Sequence, residues 1–137
     1  MVPDDRVYTK HHVWARLGTT LLELGATEAL LRRVGALVSV DLPDPDDELK
    51  LELPFGDLEG LEGTVQLHSP VESRIVEVNR ELIWNTAKLE KDPYGEGWLL
   101  RIEVRGPDDL AGLMNAEAYE QFCAAEAPEG GPADEEG

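Results

Sequence analysis

Alternation of apolar and polar positions carries most of the signal along this chain. In Glu48-Leu49-Lys50-Leu51-Glu52-Leu53 every second residue is leucine and the others are charged, the period of a strand with one wet face. Trp98 to Val104 repeats it, with Trp98, Leu100, Ile102 and Val104 on one side. Ala36 to Leu42 sets Val38, Val40 and Leu42 on one face and stops at Pro43, with Pro45 close behind. Ser73 to Val78 and Thr19 to Leu24 predict further strands, and Tyr8 to Leu17 a first one, paired to the latter across Gly18-Thr19. At least six short strands with turn residues between them predict a sandwich or small barrel.

Two helices interrupt this pattern. Thr27 is placed to cap a helix over Glu28 to Val34, in which Leu30, Leu31 and Val34 recur at helical spacing and Gly35 marks the stop. A second helix is predicted from about Asp108, just after Pro107, to Ala125, with Leu110, Leu113, Met114, Ala118 and Phe122 along one face. From Ala125 through Pro128-Glu129-Gly130-Gly131-Pro132 to Gly137 no periodicity remains. The organisation expected is one domain over residues 1–124 and a disordered acidic tail over 125–137.

Composition narrows the class. A chain of 137 residues suits one domain with a single core. Acidic residues outnumber basic ones 29 to 12, for a net charge of −17, and such a surface repels nucleic-acid phosphates and anionic lipid. Neither nucleic acid nor membrane is expected as a partner. Hydrophobic content of 42% separates the chain from acidic disordered proteins. The single cysteine, Cys123, can form no internal disulfide and reads as a packing residue, having no basic neighbour in sequence to lower its pKa. No apolar run approaches the roughly 20 residues that span a bilayer. The start, Met1 to Arg6, lacks the basic and apolar stretches of a signal peptide, so a cytoplasmic location is expected.

Candidate chemistry is sparse. His11 and His12 are adjacent, so a strand would point them to opposite faces, which disfavours a shared metal. His68, beside Ser69-Pro70, reads as a structural histidine. Asp44-Pro45-Asp46-Asp47-Glu48 lacks the glycine and spacing of a calcium loop and reads as a solvated turn. No nucleophile elbow, Walker loop or dinucleotide fingerprint is present. No catalytic or metal-binding residue is assigned.

Five segments share an order and a set of turn and aromatic residues with one known family. They are Tyr8-Thr9-Lys10-His11-His12-Val13-Trp14, then Leu24-Gly25-Ala26-Thr27-Glu28, then Gly35-Ala36-Leu37-Val38-Ser39-Val40-Asp41-Leu42-Pro43. His68-Ser69-Pro70-Val71-Glu72-Ser73-Arg74-Ile75-Val76-Glu77-Val78-Asn79 and Asp92-Pro93-Tyr94-Gly95-Glu96-Gly97-Trp98-Leu99 follow, the last being the most specific. The region from Tyr8 to Phe122 resembles the H-protein of the glycine cleavage system, a lipoyl-domain family. Val13 departs from the glutamate that family has at this position. The resemblance implies a mainly β fold with some α: a flattened barrel or sandwich (a barrel-sandwich hybrid), with a short internal helix and a carboxy-terminal helix.

It also implies a site. In that family a hairpin reading Glu-Ser-Val-Lys-Ala presents a lysine amidated with lipoic acid, whose dithiolane carries an aminomethyl group from glycine decarboxylation to the next enzyme. Counting without a gap, forward from Pro43 and backward from Pro70, sets this hairpin at Glu59-Gly60-Leu61-Glu62-Gly63. Glu59 keeps the acidic residue three positions before the attachment site, and the attachment position is Glu62. A carboxylate has no nucleophilic amine for the lipoyl amide. Lys50 is predicted in a strand, Lys88 lies well beyond the turn, and Lys10 and Lys91 match ordinary family positions. The expectation is therefore no lipoylation and no cofactor.

Gly60 and Gly63 predict a tighter or more flexible tip. Leu61 is either an exposed contact residue or one that folds back on Phe55. Three functions compete. One is a non-enzymatic binding or regulatory relative that keeps the shape recognised by protein components of glycine cleavage or another lipoate-dependent system. Another is a lipoyl carrier using a different lysine. The third is a ligand binder or enzyme on the same scaffold, for which Glu59 and Glu62 alone make a poor cation cage. The binding relative is the reading the sequence favours.

Overall fold

A computed structural model describes residues 2–106 and 110–126. The larger of two antiparallel sheets has six strands: β1 (Val7–Tyr8), β2 (Val13–Leu17), β3 (Leu21–Ala26), β5 (Glu48–Leu49), β8 (Ser73–Val78) and β9 (Leu100–Glu103), in the order β1-β2-β3-β9-β8-β5. The smaller, β4-β6-β7, is built from β4 (Leu37–Asp41), β6 (Pro54–Gly60) and β7 (Gly63–His68). Neither closes into a barrel. The core lies between them, where Leu58 and Leu67 of the small sheet join Leu22, Leu24, Ile75, Leu100 and Ile102 of the large one. Each such side chain contributes about 1.5–3 kcal/mol on burial.

Helix α1 (Glu28–Val34) has the predicted bounds. Thr27 Oγ1 accepts from Leu30 N, Arg32 and Arg33 occupy the last turn, and Gly35 ends the helix at φ 73°.

Several predicted strands come out differently. Tyr8 to Leu17 is two strands, because the chain turns back at His12 (φ 67°) and β1 pairs with β2, Tyr8 opposite Trp14. Thr9 Oγ1 fastens this turn by accepting from His11 N and Val13 N. The leucine alternation from Glu48 breaks after Leu49, where Leu53 N donates to Lys50 O and Glu52 adopts φ 68°. Leu51 and Leu53 are consequently exposed, since this segment turns the chain from the large sheet to the small one. In β4 a bulge between Leu37 and Ser39 shifts the pleat, so Val40 is buried while Val38 faces out.

Helices α2 (Glu81–Trp84) and α3 (Thr86–Lys91) were not predicted. One or two turns each, burying only Leu82 and Leu89, leave too little periodicity to read.

The last helix, α4 (Ala116–Glu126), starts later than Asp108. Met114 is extended instead, exchanging backbone hydrogen bonds with Tyr8 at 2.8 and 2.9 Å, and Asn115 Oδ1 then accepts from Ala118 N. The expected tail boundary at Ala125 falls inside this helix; the remainder of the expected tail, 127–137, lies outside the described residues. Tyr119 of α4 joins Tyr8 and Trp14 in a second aromatic core, with Phe122 and Cys123 packed against it. Cys123 is thus a packing residue. No helix among the described residues is long and apolar enough to cross a membrane.

Candidate functional site

Strands β6 and β7 form a hairpin in which Gly60 pairs with Gly63, leaving Leu61 and Glu62 as its two-residue loop. The tip rests on the end of α1. Leu61 N donates to Ala36 O at 2.9 Å, and Glu62 N donates to Val34 O at 2.8 Å, satisfying a carbonyl at the helix end. Glycine is required for this approach: a Cβ at Gly60 would sit 2.2 Å from Val34 O. Gly35 leaves room for the side chain of Glu62, whose Cγ would lie 2.9 Å from a Cβ at that position.

The tip is therefore tied down by its backbone, with both side chains free of that duty. Leu61 is 78% exposed, so it does not fold back on Phe55. Glu62 is exposed, and among the described residues its carboxylate has no ion-pair partner. Behind the tip, Ser39 Oγ donates to Glu59 Oε1 at 3.2 Å, and Glu90 of α3 accepts from Leu37 N at 2.8 Å. The face is acidic and carries one bare leucine.

None of the four lysines lies on the hairpin. Lys88 is held by Glu81 at 2.8 Å and Glu96 at 3.7 Å. Lys50 sits 3.6 Å from Glu48, in a turn and not the strand expected. Lys91 ends α3, and Lys10 is exposed in the β1–β2 turn. The calcium-like segment forms a turn in which Asp47 accepts from Asp44 N and Arg80 pairs with Asp44.

A buried polar network, missed in the sequence, lies on the other side of α1. His12 Nδ1 is 2.6 Å from Tyr119 Oη, which is 2.7 Å from Thr27 Oγ1. His12 Nε2 is 2.9 Å from Glu126 Oε1, which also accepts from Arg33 at 3.1 Å. Arg33 Nη2 is also 3.0 Å from His12 Nε2, so that ring nitrogen faces both a carboxylate oxygen and a guanidinium donor. Burial, helped by the Arg33 charge, pushes the His12 pKa below its ordinary value, while Glu126 pulls the other way less strongly. No signal in the sequence joins residues 12, 27, 119 and 126, which lie far apart along the chain.

A depressed folded-state pKa means His12 stabilises the fold fully above its unfolded value of about 6.5, and that contribution is lost as pH falls through the folded value. Urea melts of the parent should weaken on acidification below about 6.5. The dependence should be shallower in His12→Asn, asparagine being tolerant of the left-handed backbone at this position. Equal slopes in the two proteins would refute the assignment.

Two small open antiparallel sheets, a helix feeding the second sheet, and a hairpin pinned at that helix define a barrel-sandwich hybrid domain. Residues 6–126 match the family model described as glycine cleavage H-protein. The glycine cleavage system H protein of Anaeromyxobacter sp. (strain K) is 36% identical over 121 residues, covering 88% of this chain and 94% of that one. That of Rubrobacter xylanophilus is 38% identical over 118 residues, with 86% and 91% covered. A crystal structure of a glycine cleavage system H protein from Mycobacterium marinum superposes with a TM-score of 0.81 at 28% identity, covering 90% and 99%. The chain belongs to the glycine cleavage H-protein family.

This membership corrects the expectation of no cofactor, because lipoate is the group this family carries. The structure speaks to a narrower point. Glu62 at the tip offers oxygen where an amide needs nitrogen, so the loop residues as they stand do not fit covalent attachment at position 62.

Proposed function

We propose that this chain acts as a non-enzymatic docking relative of the H-proteins, engaging the protein components of a glycine cleavage system through its β6–β7 tip. The observation that carries this reading is the tip itself. Two backbone hydrogen bonds hold the loop in place while Leu61 and the Glu62 carboxylate are offered to solvent. An exposed leucine next to Glu62, with Glu59 on Ser39 and Glu90 on Leu37 of the neighbouring strand, suits a partner with an apolar pocket and a basic rim, and such association weakens as salt screens the rim. Competition tests it. Excess of this chain should slow glycine decarboxylation supported by a lipoylated H-protein, and Leu61→Asp should raise the amount needed about tenfold, as for loss of a buried leucine contact. An unchanged rate at saturating excess would exclude the docking role.

A second reading, favoured by the family match over residues 6–126, is a lipoyl carrier. It needs an amine other than position 62, and the candidates are Lys10, Lys50, Lys88 and Lys91. Intact mass followed by peptide mapping, on protein made in a lipoate-replete host, separates the two. An adduct on one of these lysines selects the carrier.

A further inference from the structure

A cleft opens between α1, β7 and the β1–β2 turn. It encloses about 340 Å³ and begins beside the hairpin, where Arg33 of α1 meets Gly63. Lys10 and His11 enter it from the turn, Arg33 from the helix, and Thr64, Gln66 and His68 from alternate positions of β7. In a chain with 29 carboxylates and 12 lysines and arginines, no carboxylate lines this cleft. Four other clefts among the described residues each have at least one, Glu52, Asp47, Glu28 and Glu23 among them.

We propose that this cleft binds a small oxyanion, a carboxylate or a phosphate group, through Lys10, Arg33, Thr64 and Gln66. The charge on Lys10 decides the sign of the site. Arg33 shares Glu126 with His12, so its charge is partly answered from outside the cleft, and His11 lies 3.2 Å from Glu52. Lys10 has no ion-pair or hydrogen-bond partner among the described residues, which leaves its ammonium donors available to a ligand. The Thr64 hydroxyl and Gln66 amide add neutral donors, and Arg33 keeps donors beyond the one given to Glu126. His11 and His68 stack at 4.3 Å between ring centroids and form one wall. Ligand binding in this cleft does not depend on whether the hairpin docks on a partner.

The test is an amide chemical-shift titration of the full chain at pH 7 and constant ionic strength, with inorganic phosphate in one series and acetate in the other. Saturable shifts confined to Lys10, His11, Thr64, Gln66 and His68 are expected, weakened about tenfold in Lys10→Glu and unchanged in Lys91→Glu. Saturation with phosphate alone, acetate alone or both supports the site and names the source. No saturation with either, or equal affinity in Lys10→Glu with its spectrum otherwise intact, overturns it.

Discussion

Replacing Glu62 with lysine should give a protein that carries one lipoyl adduct more than its parent when both are made with lipoate and a lipoate ligase. The structure explains why a single side chain should suffice. Position 62 is held by its own backbone N–H on Val34 O, and residue 61 by its N–H on Ala36 O, so neither hydrogen bond depends on the side chain. Gly35 leaves open space where the methylenes of the new lysine would pass. Glu59, the acidic residue three positions earlier, is already present and oriented by Ser39. The amine would therefore stand at an exposed turn on a rigid base, the presentation that amide formation by a ligase requires. Mass spectrometry reads the outcome as present or absent. Identical adduct counts in Glu62→Lys and parent would mean that position 62 is not the one a ligase reads, and the placement of the hairpin residues would fail with it.

The largest stability effect is expected at Trp14, whose truncation to alanine should cost about 3–5 kcal/mol in urea unfolding. Trp14 is fully buried, its Nε1 donates to Pro93 O at 3.1 Å, and the Arg6 guanidinium lies 4.5 Å from the ring centroid. Gly25, directly opposite in β3, has no Cβ because the indole fills that space: an added carbon would lie 2.3 Å from the ring. Removing the ring opens a cavity among β2, β3 and the Pro93–Tyr94 turn that rigid sheet neighbours cannot close. A loss below about 1 kcal/mol would show that the aromatic core collapses into the space, contrary to this packing.

Helix α1 was legible because its signals are local: Thr27 and Gly35 act on their own helix ends. The β6–β7 turn was placed by the family resemblance, through counting from Pro43 and Pro70, and not by any local signal of its own. Leu61 was ambiguous because exposure is a property of neighbours, and only the docking of the tip on Ala36 decided it. The leucines from 49 to 53 misled because alternation records polarity and not direction: the chain turns at Glu52 with its leucines still in step. Val38 was misplaced by one bulge, which inverts a face without changing a residue.

The amino-acid order by itself determined the β-rich class, the family resemblance over Tyr8 to Phe122, and the carboxylate at position 62, because composition, turn residues and side-chain chemistry need no partner to be read. Tertiary structure decided which groups meet across long stretches of chain. It brought His12 to Tyr119 and Glu126, stacked His11 on His68, and gathered Lys10, Arg33 and Gln66 around one cleft. Those contacts join residues far apart in sequence, and they form only where buried apolar surface offsets the entropy of bringing distant segments together.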